Sequence, residues 1–214
     1  MTFVAAFHLD SYSLFGADSR ATYFLPSKVD DEYRKLRATP SGLIAGSGPL
    51  PIVDSVYHAL LEGPALRPQD ITALMRERHA AVLQELPDEP DVQREAANTG
   101  WILASRRRGK LQLQLYHLDH AFKAQEVDVG FPMTLRPVDV SVDELSPIIV
   151  KYRKRLRPLK ALTGIDDSLN YHLDVMRDLL RDVRAVSKVL GPRMQIGFFR
   201  SDGEMEVMDE LIQV

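Results

Sequence analysis

Apolar residues enter the chain at once. Residues 2–9 and 13–18 are two short runs of strand character parted by the polar pair Asp10-Ser11, which predicts a hairpin. Residues 23–32, broken by Pro26, predict a loop. Residues 35–38 and 42–45 predict short strands around Thr39-Pro40-Ser41. After Pro49 the period changes: Ile52, Val53, Val56, Tyr57, Leu60 and Leu61 recur at three and four, a helical stripe that Gly63-Pro64 ends. A second stripe, Ile71, Leu74, Met75, Val82, Leu83 and Leu86, starts near Pro68 and stops at Pro87. The acidic, proline-bearing stretch 86–97 predicts an exposed connection.

Strand character resumes over 100–105, and after the turn 106–109 comes Leu111-Gln112-Leu113-Gln114-Leu115, whose strict alternation is the cleanest strand signal in the chain. Residues 121–129 predict a further strand. Ser146-Pro147 predicts a helix start, with Ile148, Ile149, Tyr152 and Leu156 on one face. The longest helix is predicted from Asp166, Asp167 or Ser168 to about Leu190, with the stripe Leu169, Leu173, Met176, Leu180, Val183 and Val186, terminated by Gly191-Pro192. Residues 194–200 and 204–208 predict a hairpin about Asp202-Gly203. The order is strands, two helices, strands, two helices, strands. An α+β fold with two facing sheets and helices outside them, a four-layer αββα sandwich, would bury every one of these apolar faces.

Composition narrows the class. The chain has 214 residues, enough for one domain with a substantial core, and a single domain over 1–214 is expected. It contains no Cys, which excludes disulfides and thiolate metal sites. The net charge of −3 argues against nucleic acid as a partner. For the same reason the basic face of Lys151, Arg153, Lys154, Arg155 and Arg157 reads as a solvated face or a subunit contact. No apolar run approaches a membrane span and the start lacks the plan of a signal peptide, so a cytoplasmic protein is expected. His117-Leu118-Asp119-His120 offers metal-binding side chains but no third ligand, and reads as a polar strand end. His58, His79 and His172 read as surface or boundary positions. No cofactor and no metal are expected.

The candidate chemistry lies in the first fifty residues. Thr2 opens the first strand, Asp18 follows it by sixteen positions inside Ala17-Asp18-Ser19-Arg20-Ala21-Thr22, Lys35 follows by thirty-three, and Ala45-Gly46-Ser47-Gly48 forms a glycine-bearing turn. A threonine hydroxyl is a weak nucleophile and needs an adjacent base. A free α-amine, with a reference pKa of about 7.7–8.0, suits that task. A neighbouring Lys favours the neutral amine, and an Asp holds the Lys. Through these residues and spacings the chain resembles the proteasome β-type subunits of the N-terminal-nucleophile hydrolases, well over the first sixty residues and only in element order beyond.

The resemblance implies a threonine protease or other amide hydrolase acting through an acyl-enzyme. Thr2 would be the nucleophile once Met1 is removed, Asp18 and Lys35 its partners, Gly48 (with Gly46 close behind) the oxyanion donor, and Arg20 a supporting residue. It also implies a homo-oligomeric ring, a peptide or amide substrate, and an ATP-dependent unfoldase as partner. Two departures bear on activity. Arg136-Pro137-Val138-Asp139-Val140-Ser141 lacks the family's Gly-Ser-Gly turn, and the two supporting positions at the end of the last helix fall on Ser187 and Leu190, of which Leu190 forms no side-chain hydrogen bond. A catalytically silent assembly subunit is therefore the second reading. An unrelated α+β binding domain is the third.

Overall fold

The structure, a computed structural model, describes residues 3–23, 28–86 and 90–211. β1 (Val4–His8) and β2 (Tyr12–Asp18) form the predicted hairpin, with Val4 opposite Ala17 and His8 opposite Ser13. β3 (Ala21–Tyr23) and β4 (Lys28–Asp30) pair as a small ribbon where the sequence predicts a loop. β5 (Leu36–Thr39) and β6 (Gly42–Ser47) precede α1 (Leu50–Glu62), α2 (Pro68–Glu85) and α3 (Pro90–Ala96). Then come β7 (Gly100–Arg107), β8 (Lys110–His117), β9 (Gln125–Glu126), β10 (Pro132–Leu135), α4 (Val142–Arg153), α5 (Ile165–Val186), β11 (Arg193–Arg200) and β12 (Met205–Leu211). Among the described residues these make two five-stranded antiparallel sheets, ordered β10-β1-β2-β11-β12 and β5-β6-β7-β8-β9, and five α-helices.

Strand periodicity distributes the core. In β1, Ala5 and Phe7 pack with α4 and α5, whereas Val4 and Ala6 meet residues of the other sheet. In β7, Trp101 and Leu103 pack with α1 and α2, whereas Ile102 and Ala104 meet the first sheet. Both faces of these strands are buried, so they read as continuous apolar runs and not as alternation. Gly16 marks the closest approach of β2 to α5: a Cβ there would stand 2.6 Å from Met176 Sδ and 2.9 Å from Leu180 Cδ1.

Several sequence expectations are corrected. α4 starts four residues before Ser146, because Ser141 and Glu144 form a reciprocal capping box: Glu144 N–H donates to Ser141 Oγ and Ser141 N–H to the Glu144 carboxylate. Pro147 therefore lies in the second turn. α5 ends at Val186 and not near Leu190, since Ser187 is extended and its hydroxyl is bonded to Asp139. The stretch 86–97 is not an exposed connection throughout: α3 buries Val92 and Ala96, an i, i+4 pair hidden in acidic composition. Of 121–129 only Gln125 and Glu126 pair as a strand, because Ala121 and Phe122 adopt left-handed conformations, φ 49° and 54°, that turn Phe122 into the core beside Trp101. β10, four residues beginning with Pro132, had no sequence signal.

Two residues of the basic stretch pair with α5, Lys151 of α4 through Nζ to Asp182 at 2.6 Å and Arg155, just past α4, to Asp178 at 2.9 Å. His172, expected near the surface, is fully buried. Its Nε2 accepts from Arg157 N–H at 3.1 Å, so Nδ1 carries the ring proton toward the Ser168 carbonyl at 2.7 Å, with the Tyr12 hydroxyl at 2.8 Å. Burial holds the pKa of His172, and of His8, below the usual value. The sign for stability follows. Below about 6.5 the unfolded histidines take up protons that the folded ones resist, so stability falls on acidification by at most about 1.4 kcal/mol per pH unit for each. Urea midpoints should drop between about pH 7.5 and about pH 5.5, and drop less steeply in His172→Asn; a midpoint flat across that range would contradict this account.

Candidate active site

The site grows from the end of β2. Met194 pairs with Asp18 across β2 and β11, and Asp18 N–H donates to Phe3 O at 3.3 Å. The side chain closes the same loop: Phe3 N–H donates to Asp18 Oδ1 at 2.9 Å. That oxygen also accepts from Lys35 Nζ at 2.9 Å, and Oδ2 accepts from Arg20 N–H at 3.1 Å. Asp18 is 0% and Lys35 1% exposed, so the ion pair is out of water. Desolvation pulls the Lys35 pKa below that of a free lysine, and the Asp18 carboxylate opposes the fall.

Lys35 is positioned by its backbone. Gln195 of β11, 1% exposed, accepts from Lys35 N–H at 2.6 Å and from Leu36 N–H at 3.1 Å, and its own amide donates to Asp209 at 2.9 Å. Tyr57 of α1 donates to the Lys35 carbonyl at 2.5 Å. The ammonium thus projects from a peptide anchored to both the first sheet and the first helix. Arg20 is a bidentate partner of Asp31, with Nε–Oδ1 2.6 Å and Nη2–Oδ2 3.1 Å, and Gly191 leaves room for it, since a Cβ there would stand 2.8 Å from Arg20 Cβ.

Gly48 ends the strand edge just ahead of α1. Its φ of +142° favours glycine, and a Cβ would lie 2.7 Å from Thr99 Oγ1. Gly46 faces Trp101 and the Tyr57 hydroxyl, at 2.6 and 3.1 Å from the same construction, so its glycine is a packing requirement. Between β8 and the segment after β10 lies a cleft of about 280 Å³ lined by Asn98, His117, Asp119, Thr134, Arg136 and Val138, among others. The register Ser47–Gly100–His117 on one side and Val4–Leu135 on the other puts this cleft beside both Gly48 and the start of β1.

Thr2 lies outside the described residues. Asp18, Lys35 and Arg20 come together. Ser187 stands in a separate group: its hydroxyl donates to Asp139 at 2.9 Å, and Lys188 N–H donates to the same carboxylate at 2.7 Å. Leu190 is an apolar residue of the core cluster that includes Phe3. His117 caps a short 3-10 turn, its Nδ1 accepting from Asp119 N–H. Sequence reasoning missed Gln195, Tyr57, Asp31 and Asp139. Only Asp31, eleven residues past Arg20, carried a local charge signal.

No family model matches the chain, and no curated protein matches it. An Anbu (Gly-1) mutant from Hyphomicrobium sp. strain MC1 superposes with a TM-score of 0.62 at 15% identity, over 99% of this chain and 87% of that one. Anbu, described as an ancestral beta-subunit, from Yersinia bercovieri gives a TM-score of 0.65 at 15% identity, over 97% and 87%. The chain has the fold of the Anbu proteins. This overturns the assignment to proteasome β-type subunits drawn from the first sixty residues: the spacing of Asp18 and Lys35 was read as the mark of that family, and the whole-chain match lies with Anbu.

The buried pair predicts a stability signature. Asp18→Asn or Lys35→Met alone removes one side of the buried ion pair and should cost about 3–5 kcal/mol, whereas Asp18→Asn/Lys35→Met together should cost less than the sum. Denaturant melts of the three variants check it; additive losses would show that the two side chains do not act as a pair.

Proposed function

We propose that this protein is a threonine-type amide hydrolase whose nucleophile is Thr2 with a free α-amine, and that its two sheets and the helices packed on them amount to a four-layer αββα sandwich in one domain. The observation that carries the reading is the Asp18 carboxylate, out of water, bonded at once to Lys35 Nζ and to Phe3 N–H, the nitrogen covalently joined to residue 2. Structural pairs of this kind exist in many cores. Here the pair binds the backbone N–H of Phe3, which follows a residue whose type suits a nucleophile, and the surrounding fold is that of Anbu.

The chemistry runs as follows. The Thr2 hydroxyl adds to the amide carbonyl while its proton passes to the α-amine, giving a tetrahedral oxyanion. Gly48 N–H, just ahead of the positive end of the α1 dipole, steadies that charge. The ammonium returns the proton to the leaving amine and an ester on Thr2 remains. Water, activated by the same amine, hydrolyses it. Lys35 keeps positive charge near the amine, which favours the neutral, proton-accepting form. The cleft beside Gly48 is the place for a peptide or amide substrate. Removal of Met1, and of anything before it, is a requirement of this mechanism.

The test pairs intact mass with labelling. Protein with Thr2 as its first residue should form a covalent adduct with an epoxyketone, which needs both hydroxyl and amine. Thr2→Ala should not react. Lys35→Ala should react roughly 100-fold more slowly or worse, and Asp18→Asn should lose a smaller factor. Fully processed protein that gives no adduct would end the hydrolase reading.

We further propose a homo-oligomeric ring in the cytoplasm served by an ATP-dependent unfoldase. The support is the exposed apolar surface of Phe131, Val142 and Val150 about β10 and α4. The same surface, with the apolar Leu190, favours the silent assembly subunit as a second reading. Among the described residues no helix is long and apolar enough to cross a membrane. Light scattering should give a mass several times that of the 24.2 kDa chain; a monomer at working concentration would exclude the ring.

A further inference from the structure

We infer that the cleft where α2 begins is a binding site for a phosphate group, free or carried by a small monoester, held by Arg107 and Gln114. The site is independent of the hydrolase reading. Ser47 lies opposite Gly100 and Leu43 opposite Ala104, so the cleft stands at the other end of the second sheet from Gly48.

The cleft encloses about 180 Å³ between the β5–β6 turn, the α1–α2 connection and the ends of β7 and β8. Ser41, Arg67, Pro68, Ser105, Arg107 and Gln114 are among the residues that line it, and among the described residues no carboxylate does. Leu103 pairs with Gln114, Ser105 with Gln112 and Arg107 with Lys110, so these side chains share the sheet face on which Leu103 packs against the first two helices. Gln114 is 3% exposed, and its Oε1 accepts from the Tyr116 hydroxyl at 3.0 Å. That hydroxyl has no other acceptor among the described residues. The amide oxygen therefore faces Tyr116 and the NH2 group faces the cleft, where it finds no acceptor among the described residues. A buried donor in this state is costly unless something in the cleft accepts from it.

The charge points the same way. Arg67 is spent on Asp70, at 2.8 and 3.1 Å, and Arg106 on the Asp202 carbonyl at 3.1 Å. Arg107 has no ion pair and no hydrogen bond among the described residues. Burial raises the pKa of Tyr116 and the Arg107 charge opposes the rise, as a guanidinium on that face should. The 18 residues of α2 begin here with no side chain capping the first turn, which adds the positive end of the helix dipole. Ser41 Oγ accepts from Leu66 N–H at 3.0 Å, which leaves its own proton to donate, and the Ser105 hydroxyl has no partner among the described residues. A guanidinium, an amide NH2 and two hydroxyls around one cleft suit the tetrahedral oxygens of a phosphate better than a planar carboxylate. The volume is below the roughly 300–1,000 Å³ of pockets for drug-sized ligands, so the phosphate carries a short chain or none.

The experiment is isothermal titration calorimetry of the full chain, at constant ionic strength, with inorganic phosphate, glycerol 3-phosphate and acetate as probes. At least one phosphate probe should bind with a Kd of about 1 mM or below, and acetate at least about tenfold more weakly. Tighter binding of inorganic phosphate identifies the free anion, and tighter binding of glycerol 3-phosphate identifies the monoester; either upholds the site. Arg107→Met and Gln114→Leu should each weaken binding about tenfold or more. Arg34→Met removes the same charge outside the cleft and should leave affinity within about twofold. Gln114 is buried, so Arg107→Met, at an exposed position, decides the matter if Gln114→Leu does not fold. The inference is overturned if neither phosphate probe binds, if acetate binds as well, if Arg107→Met keeps wild-type affinity, or if Arg34→Met loses as much as Arg107→Met.

Discussion

A carboxylate and an ammonium taken out of water must satisfy each other, the carboxylate's remaining lone pairs and the ammonium's remaining protons, or the fold loses several kcal/mol. Asp18 and Lys35 impose that requirement at the meeting of the two sheets. Each is essentially unexposed, and desolvation is the largest influence on the lysine. The surroundings answer the requirement group by group. Phe3 and Arg20 give backbone N–H groups to the carboxylate, while Gln195 and Tyr57 hold the lysine peptide from opposite sides. An apolar pair of similar volume would be no less stable, so stability alone does not account for a buried ion pair that touches the start of β1.

The same demand explains the glycines around it. Gly191 admits Arg20, Gly16 lets α5 settle on β2, and Gly48 turns the chain from β6 into α1 with a positive φ. A Cβ at these points would stand within 2.8 Å of Arg20, Met176 or Thr99 and force the packed elements apart. Packing and chemistry draw on one set of small residues, which is why Gly46 and Gly48 have a structural explanation in Trp101 and Thr99 whatever else they do.

Away from the pair, polar groups act as fasteners between elements distant in sequence. Tyr12, Ser168 and His172 tie β2 to α5, Asp182 and Asp178 tie α4 to α5, and Asp139 ties the end of α5 to the segment after β10. Of that basic stretch, Lys151 and Arg155 thereby meet counter-charges on α5, whereas Arg153 and Arg157 lie over the rings of Phe131 and Tyr171.

Much of the element order was legible in the sequence, because the change of period from two to three and four is a property of neighbouring residues: the first hairpin, the stripes of α1, α2 and α5, and the alternation in β8 all showed, whereas β3, β4, α3 and β10 did not. The sequence also brought Asp18 and Lys35 to notice through their spacing from Thr2, and Gly48 through its turn. Tertiary structure decided the rest. Whether Val92 is core or surface depends on what covers it, and Ala121 and Phe122 take left-handed conformations only because Phe122 gains a buried place beside Trp101. The four residues of β10 become a strand only when β1 is there to pair with them. His172 sits on a helix with polar neighbours, and nothing local shows that Tyr12, far away in the chain, will bury it. Gln195, Tyr57 and Asp139 lie far in sequence from the groups they hold; their roles are contacts made by folding, and a linear pattern carries no record of them.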